Sequence, residues 1–242
     1  MTTLARIIVT SIISLLLLSC NFSMNIGQGV DGNGNVINVE RTISSDFKDI
    51  KVSQGLDLYI TQTNDVSLTV EADENLMDLI MTEVVDGTLK IYTTENIRRA
   101  SSRKIMLNIE TIASIKATSG SDVYSENTIE VDNLELKTTS GADIKLDVKT
   151  ESLDCCSTSG SDIKLSGTTN IFKAVATSGS DINASELQAQ NSDVKATSGA
   201  DISVNTSKLL TAKATSGGDI RYSGNPEKID KSDTSAGSVR QQ

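Results

Sequence analysis

Histidine and tryptophan are absent from this chain, and aromatic residues make up only 3% of it. Without imidazole there is no Ser-His triad, no histidine general base and no histidine-ligated metal. Much of the usual enzymatic repertoire is thereby removed. Proline occurs once, at position 226, so little in the body interrupts extended structure. Cysteine occurs three times. Cys155 and Cys156 are adjacent, and neighbours along a strand point to opposite faces, which argues against a disulfide framework. Cys155 is expected as a small core residue; a strained vicinal disulfide is the sharper alternative. Basic residues are also in deficit, with 22 Lys and Arg against 32 Asp and Glu. Such a surface is repelled by nucleic acid and by anionic headgroups, so nucleic acid is not an expected partner.

Long apolar runs are missing too, save one at the start. "MTTLAR" carries a single Arg, and "IIVTSIISLLLL" has the length of a secretory h-region, short for a membrane span. The run ends in "LLSC" at 17–20, a small residue directly before Cys20. This resembles a bacterial lipobox, which implies cleavage before Cys20 and lipid on its thiol. The plainer alternative is an ordinary signal peptide with an incidental cysteine. We therefore expect a lipoprotein signal over 1–19 and a Gly/Asn-rich flexible tether over 20–35. The membrane is then met through an anchor of more than one acyl chain, which suits lasting attachment. The expected location is the cell envelope, as an outer-membrane lipoprotein. Which face of that membrane it occupies is open; no acidic cluster follows Cys20, a weak pointer to the periplasmic side.

What the chain has in abundance is one word. "KATSGSDV" begins at Lys116, and Thr-Ser-Gly-x-Asp returns with its Thr at 118, 139, 158, 177, 197 and 215. A degenerate copy, "TSAGSV", follows at Thr234. Coils of about 19–20 residues cannot hold a helix pair, but they fit short strands joined by tight turns. The flanking pieces, such as "NLELKTTSGADIKLDV", alternate apolar and polar at period two. Stacking the copies gives columns. Val123, Ile144, Ile163, Ile182, Ile202 and Ile220 follow the Asp; Ile115, Leu136, Cys155, Ala174, Val194 and Ala212 precede the Thr by three. These columns are small or aliphatic and share one face, whereas Lys, Thr, Gly and Asp fall on the other. The expected fold is all-β: a parallel β-helix or solenoid, right-handed by the default for parallel crossovers. Gly recurs because a corner needs positive φ or a missing Cβ.

Residues 36–115 are expected as a divergent N-terminal β region before the regular helix of 116–242. "DIKVSQGLDLYI" aligns with "ELKTTSGADIKL", placing Gly55, Asp57 and Leu58 on Gly141, Asp143 and Ile144. "VSLTVEA" (66–72) and "TLKIYTT" (88–94) read as strands, with a hairpin turn at "VDGT". "DENLMDLIMTEV" (73–84) is the one helical candidate, capped by Asp73 with Leu76, Leu79 and Ile80 on one face. The basic run "NIRRASSRKIML" reads as a solvated edge or loop. These stretches, followed by serial "TSGSDI" words, resemble the putative auto-transporter adhesin, head GIN domain family, across roughly 36–225. Gly55-Leu56-Asp57 stands where the name-giving triplet has Gly-Ile-Asn, a mild departure. The resemblance implies a β-helical envelope protein of the Bacteroidetes with adhesin character, and brings no catalytic residues with it.

The chemical candidate is the column Asp122, Asp143, Asp162, Asp181, Asp201 and Asp219, with Asp57 as an earlier member. Bare like charges in adjacent rungs repel. Corner backbone N–H groups can relieve them, as can Lys145, Lys164 or Arg221 two residues on, or a bound cation such as Ca²⁺. The Gly-Gly-x-Gly-x-Asp spacing of calcium β-rolls is absent. A uniform column gives no carboxylate pair the separated environments that glycoside cleavage needs. The expectation is a non-catalytic lipoprotein, with no cofactor and no dedicated metal site, that binds a surface, glycan or envelope protein. A polysaccharide-processing enzyme, or its inactive relative, and a structural or stress-related envelope factor are the alternatives.

Overall fold

Period-two alternation becomes rungs in register. The computed structural model describes residues 29–242 apart from position 235. It is a β-solenoid of about 7 turns. The central coils are the long strands Asp143–Thr158, Asp162–Thr177, Asp181–Thr197 and Asp201–Thr215, each paired in parallel with the next. Equivalent letters stand opposite one another: Ile144 on Ile163, Ile163 on Ile182, Ile182 on Ile202, Ile202 on Ile220. That file is at most 1% exposed from end to end. Each such Ile adds about 1.5–3 kcal/mol on burial. Phe172 is the largest fully buried side chain and lies between Leu153 and Ser192.

The Ser-Gly pair of each word turns the corner. Both residues have positive φ in all six copies, for example Ser159 at 60° and Gly160 at 65°, so the corner is made by two consecutive left-handed residues. The rung-to-rung ladder runs on through the corner, since Gly160 N–H donates to the Ser178 carbonyl at 3.3 Å and Gly179 N–H to Ser198 at 3.1 Å. The x residue faces inward. Where it is Ser it also closes the turn: Ser161 Oγ accepts from Thr158 N–H (3.2 Å) and donates to the Thr158 carbonyl (2.8 Å). Ser157, Thr138 and Ser161 form a buried hydroxyl cluster, so the polar members of these inward columns are partnered.

The stack runs unbroken across 115/116. Asp49–Ser53 pairs in register with Ser114–Thr118, and Asp57–Gln62 with Asp122–Ser125, so Gly55 falls on Gly120 as the alignment expects. Sequence order and stacking order then part. Thr88–Thr93 and Arg103–Ile109 lie parallel to Asp49–Ser53 and Asp57–Gln62 on the outer side, forming the end coil. Antiparallel strands extend that end: Ser67–Asp73 on Arg103–Ile109, Val36–Arg41 on Ser67–Asp73, and Ile80–Val85 on Thr88–Thr93. At the other end the rung Lys228–Thr234 is exposed throughout. Its Lys228, Asp230, Lys231 and Asp233 blunt an edge that would otherwise recruit further strands.

Two expectations need correction. The helix over 73–84 does not form; one 3-10 turn, Glu74–Leu76, is followed by the strand Ile80–Val85. Asp73 makes no cap for that turn. Its carboxylate accepts instead from Gly34, Ser101 and Ser102 N–H groups at 2.6–3.2 Å. The Asp86-Gly87 turn, both residues at positive φ, draws 80–85 into a hairpin. The tether expected over 20–35 is bound to the body from Val30 onward, through the pairing of Val30–Asp31 with Ile97–Arg99 and the Arg98–Asp31 ion pair. Cys20 and the lipobox lie outside the described residues. Cys155 is buried and Cys156 half-buried, and both thiols are free.

Candidate functional site

The residue after each corner Gly-x opens a new outward column, which is why the Asp residues line up. Asp57, Asp122, Asp143, Asp162, Asp181, Asp201 and Asp219 occupy one register position in seven successive rungs. Lys104 continues the file at one end and Ser238 at the other. Partial burial pushes the carboxyls of Asp57, Asp122, Asp143, Asp162 and Asp201 up, and for Asp122, Asp143 and Asp162 the next carboxylate in the file adds to it.

Relief comes mainly at the ends. Arg103 and Lys104 draw Asp57 back toward the ionised form. Arg221 approaches Asp201 at 3.8 Å, and Arg240 approaches Asp219 at 3.1 Å, where the Ser238 hydroxyl also donates. In the middle, Asp162 N–H donates to Asp143 at 3.3 Å. Of the relief routes open to the file, Lys145 and Lys164 take no part, since they form no ion pair with it, and Lys137 pairs with Glu135 on the other side of the corner (2.6 Å). Among the described residues, no group of three or more Asp, Glu or Cys side chains is placed to hold a metal ion.

The next outward column holds what the sequence reading did not bring together. Met106, Tyr59, Tyr124, Lys145 and Lys164 stand in successive rungs. The rings of Tyr59 and Tyr124 stack with centroids 5.1 Å apart and planes at 26°, and Lys104 Nζ lies 5.8 Å from the Tyr59 centroid. Burial, then the charge of Asp122, pushes the Tyr124 phenol up to about 12. It therefore remains a hydrogen-bond donor throughout the physiological range. Two open grooves share Tyr59 and Glu126. One, of about 380 Å³, runs along Tyr124, Lys145 and Lys164; the other, of about 530 Å³, along Met106, Lys104 and Asn108. The signal was present, since each Tyr lies four residues after its Gly. It requires the register of Gly55 on Gly120 to be carried forward.

A parallel solenoid whose outward columns form long, open, regular faces is a repeat protein of the stacked-coil kind. The family can then be stated. The sequence matches "Putative auto-transporter adhesin, head GIN domain" over residues 46–226, and the chain belongs to that family. Solved structures agree in fold. A "putative adhesin" of Bacteroides fragilis NCTC 9343 superposes with a TM-score of 0.80 at 24% identity, covering 88% of this chain and all of that one. A "putative lipid binding protein" of Parabacteroides distasonis ATCC 8503 gives 0.72 at 25% identity, covering 89% and 100%. A "putative adhesin" of Parabacteroides merdae ATCC 43184 gives 0.72 at 20%, also covering 89% and 100%. None of the curated proteins matches the sequence.

Proposed function

We propose that this chain is a non-catalytic, adhesin-like binding protein of the cell envelope, held to the outer membrane through lipid on Cys20. The observation that carries the reading is the face built by the Asp file and the neighbouring Tyr–Lys column. Its Asp file is regular over seven rungs, and the face is outward on a continuous hydrogen-bonded stack. Such a face suits an extended partner: a surface, a glycan or another envelope protein. The adhesin names carried by the family and by structural neighbours point the same way.

A polysaccharide-processing enzyme is the rival, because a carboxylate file on a solenoid is the raw material of glycoside chemistry. The geometry favours binding, since the central carboxylates have like neighbours and similar surroundings, and none is set apart as an acid. The test is a screen of residues 21–242 against a polysaccharide panel and envelope-protein extracts. Reproducible retention without cleavage is expected; depolymerisation of any polymer would overturn the reading. For the anchor, Cys20→Ala should move the protein from the membrane to the soluble fraction, and unchanged membrane retention would contradict lipidation.

A further inference from the structure

Aromatic side chains are scarce here: four Tyr, three Phe and no Trp in 242 residues. Two of the four Tyr are placed in adjacent rungs on the outer face, half-buried, with their rings stacked. With exposed Met106 they make a short apolar stripe across three rungs, in a column that is polar or charged in the rungs that follow. A stacked cross-strand pair stabilises a sheet in its own right, which would account for the pair alone. It does not account for its surroundings. Lys145, Lys164, Glu126 and Glu186 line the same groove and form no ion pair with one another, although Lys149, Lys137 and Arg221 elsewhere on the coils each find a carboxylate. The groove thus sets unpaired donors and acceptors around an aromatic wall.

A sugar ring matches that arrangement. One face of a pyranose is a sheet of C–H bonds that packs on an aromatic ring, while its rim carries hydroxyls that seek carboxylates, ammonium groups and a phenol. The two grooves meet at Tyr59 and Glu126, so together they form a trough on either side of the pair rather than a closed pocket. Resting on the adhesin-like reading above, we propose that the Tyr59–Tyr124 pair is the stacking platform of a carbohydrate subsite that holds a pyranose chain. Lys145 and Lys164 face any acidic group on that chain.

Tyrosine emission can follow the subsite, because no Trp obscures it and only Tyr92 and Tyr222 emit besides the pair. Residues 21–242 are titrated with a neutral β-glucan and with a polyuronate, following emission and, separately, retention on the immobilised polymer. Saturable binding to at least one polymer is expected. Tyr124→Ala and Tyr59→Ala should each weaken it at least tenfold, and Tyr92→Ala, on another face, should leave it unchanged. A preference for the polyuronate that is lost in Lys145→Ala/Lys164→Ala assigns the acidic group. Should an alanine variant fail to fold, the Lys pair and the emission change of the unaltered chain still decide. Polymer binding that is indifferent to both Tyr59 and Tyr124 overturns the subsite while sparing the adhesin reading. No binding to either polymer also overturns it, and the broader reading then rests on the envelope-protein screen alone.

Discussion

At the scale of single residues, Asp73 carries the largest local responsibility. It is fully buried, and three backbone N–H groups from two separate segments converge on it. Burial alone would raise its carboxyl, but the bonds from Gly34, Ser101 and Ser102 outweigh burial and hold it below its ordinary value. A depressed folded value contributes stability that is complete above the unfolded value, about 3.9, and is lost as pH falls through the folded one. Asp73→Ala should therefore destabilise the end cap by about 2–3 kcal/mol at pH 7. In denaturant titrations the gap from the parent should narrow as the solution is acidified below that range; a pH-independent gap would contradict the assignment. The corner makes a second prediction. Gly160 sits at φ 65° with nothing within 4 Å of a prospective Cβ, so Gly160→Ala meets only backbone strain, about 1–2 kcal/mol. Gly167 is at φ 105° with the Val148 carbonyl oxygen 2.0 Å from that Cβ, so Gly167→Ala must push a neighbouring rung aside and should cost about 3 kcal/mol or more. Equal losses in thermal unfolding would show that backbone strain, not the rung contact, dominates both sites.

At the scale of elements, the outward Asp file runs against the usual sign. Burial, then Asp122, raises the Asp143 carboxyl, so folding favours its protonated form. The resulting penalty is absent below the unfolded value near 3.9, grows as pH rises towards the folded value and persists above it. Asp143→Asn, which keeps an acceptor for Asp162 N–H, should raise the melting temperature at pH 7 and make no difference at pH 3. A lowered melting temperature at pH 7 would mean that the file is held by a favourable interaction, such as a bound cation. The repeated coils were legible in the sequence because each strand carries its own alternation and each corner its own Ser-Gly. The register of Ile144 on Ile163 follows from letters alone. The segment 73–84 was not legible, since Leu76, Leu79 and Ile80 mimic a helical stripe over barely one turn, and what decides it is a carboxylate serving residues 28–39 positions away. Nor does any local signal tell that Thr88–Thr93 stacks outside Asp49–Ser53. The same lack of a local cue hid the Tyr59–Tyr124 pair, whose partners lie 65 residues apart.

At the scale of the whole molecule, the fold is a column of near-interchangeable coils, and stability in such a column is close to a sum over coils and their interfaces. This predicts that an interior coil can be removed. The coil following Thr177 is the instructive one, because it alone among the central four carries register shifts towards both neighbours, between Lys164 and Ser166 on one side and around Gln188 on the other. It also contributes Ser192, the one polar residue in the file of Leu134, Leu153, Phe172 and Leu210. Deleting residues 178–197 joins Thr177 to Ser198 and leaves the word "ATSGADI" intact. Ile163 then meets Ile202, Ala174 meets Ala212, Phe172 meets Leu210, and Thr169 meets the Thr206 hydroxyl that Ser192 had partnered. The inward face thus reseals with matching chemistry, and one register shift remains between the joined coils, because the coil entered at Ile163 is a residue longer than the one entered at Ile202. The shortened chain should give the β circular dichroism of the parent and a cooperative melt at a modestly lower temperature. It should also keep the Tyr59–Tyr124 stack, which lies on coils before the deletion, while the groove beside it loses Glu186. Loss of the β signal would mean that the coils are bound into one long-range unit, and the additive picture of this solenoid would have to be abandoned.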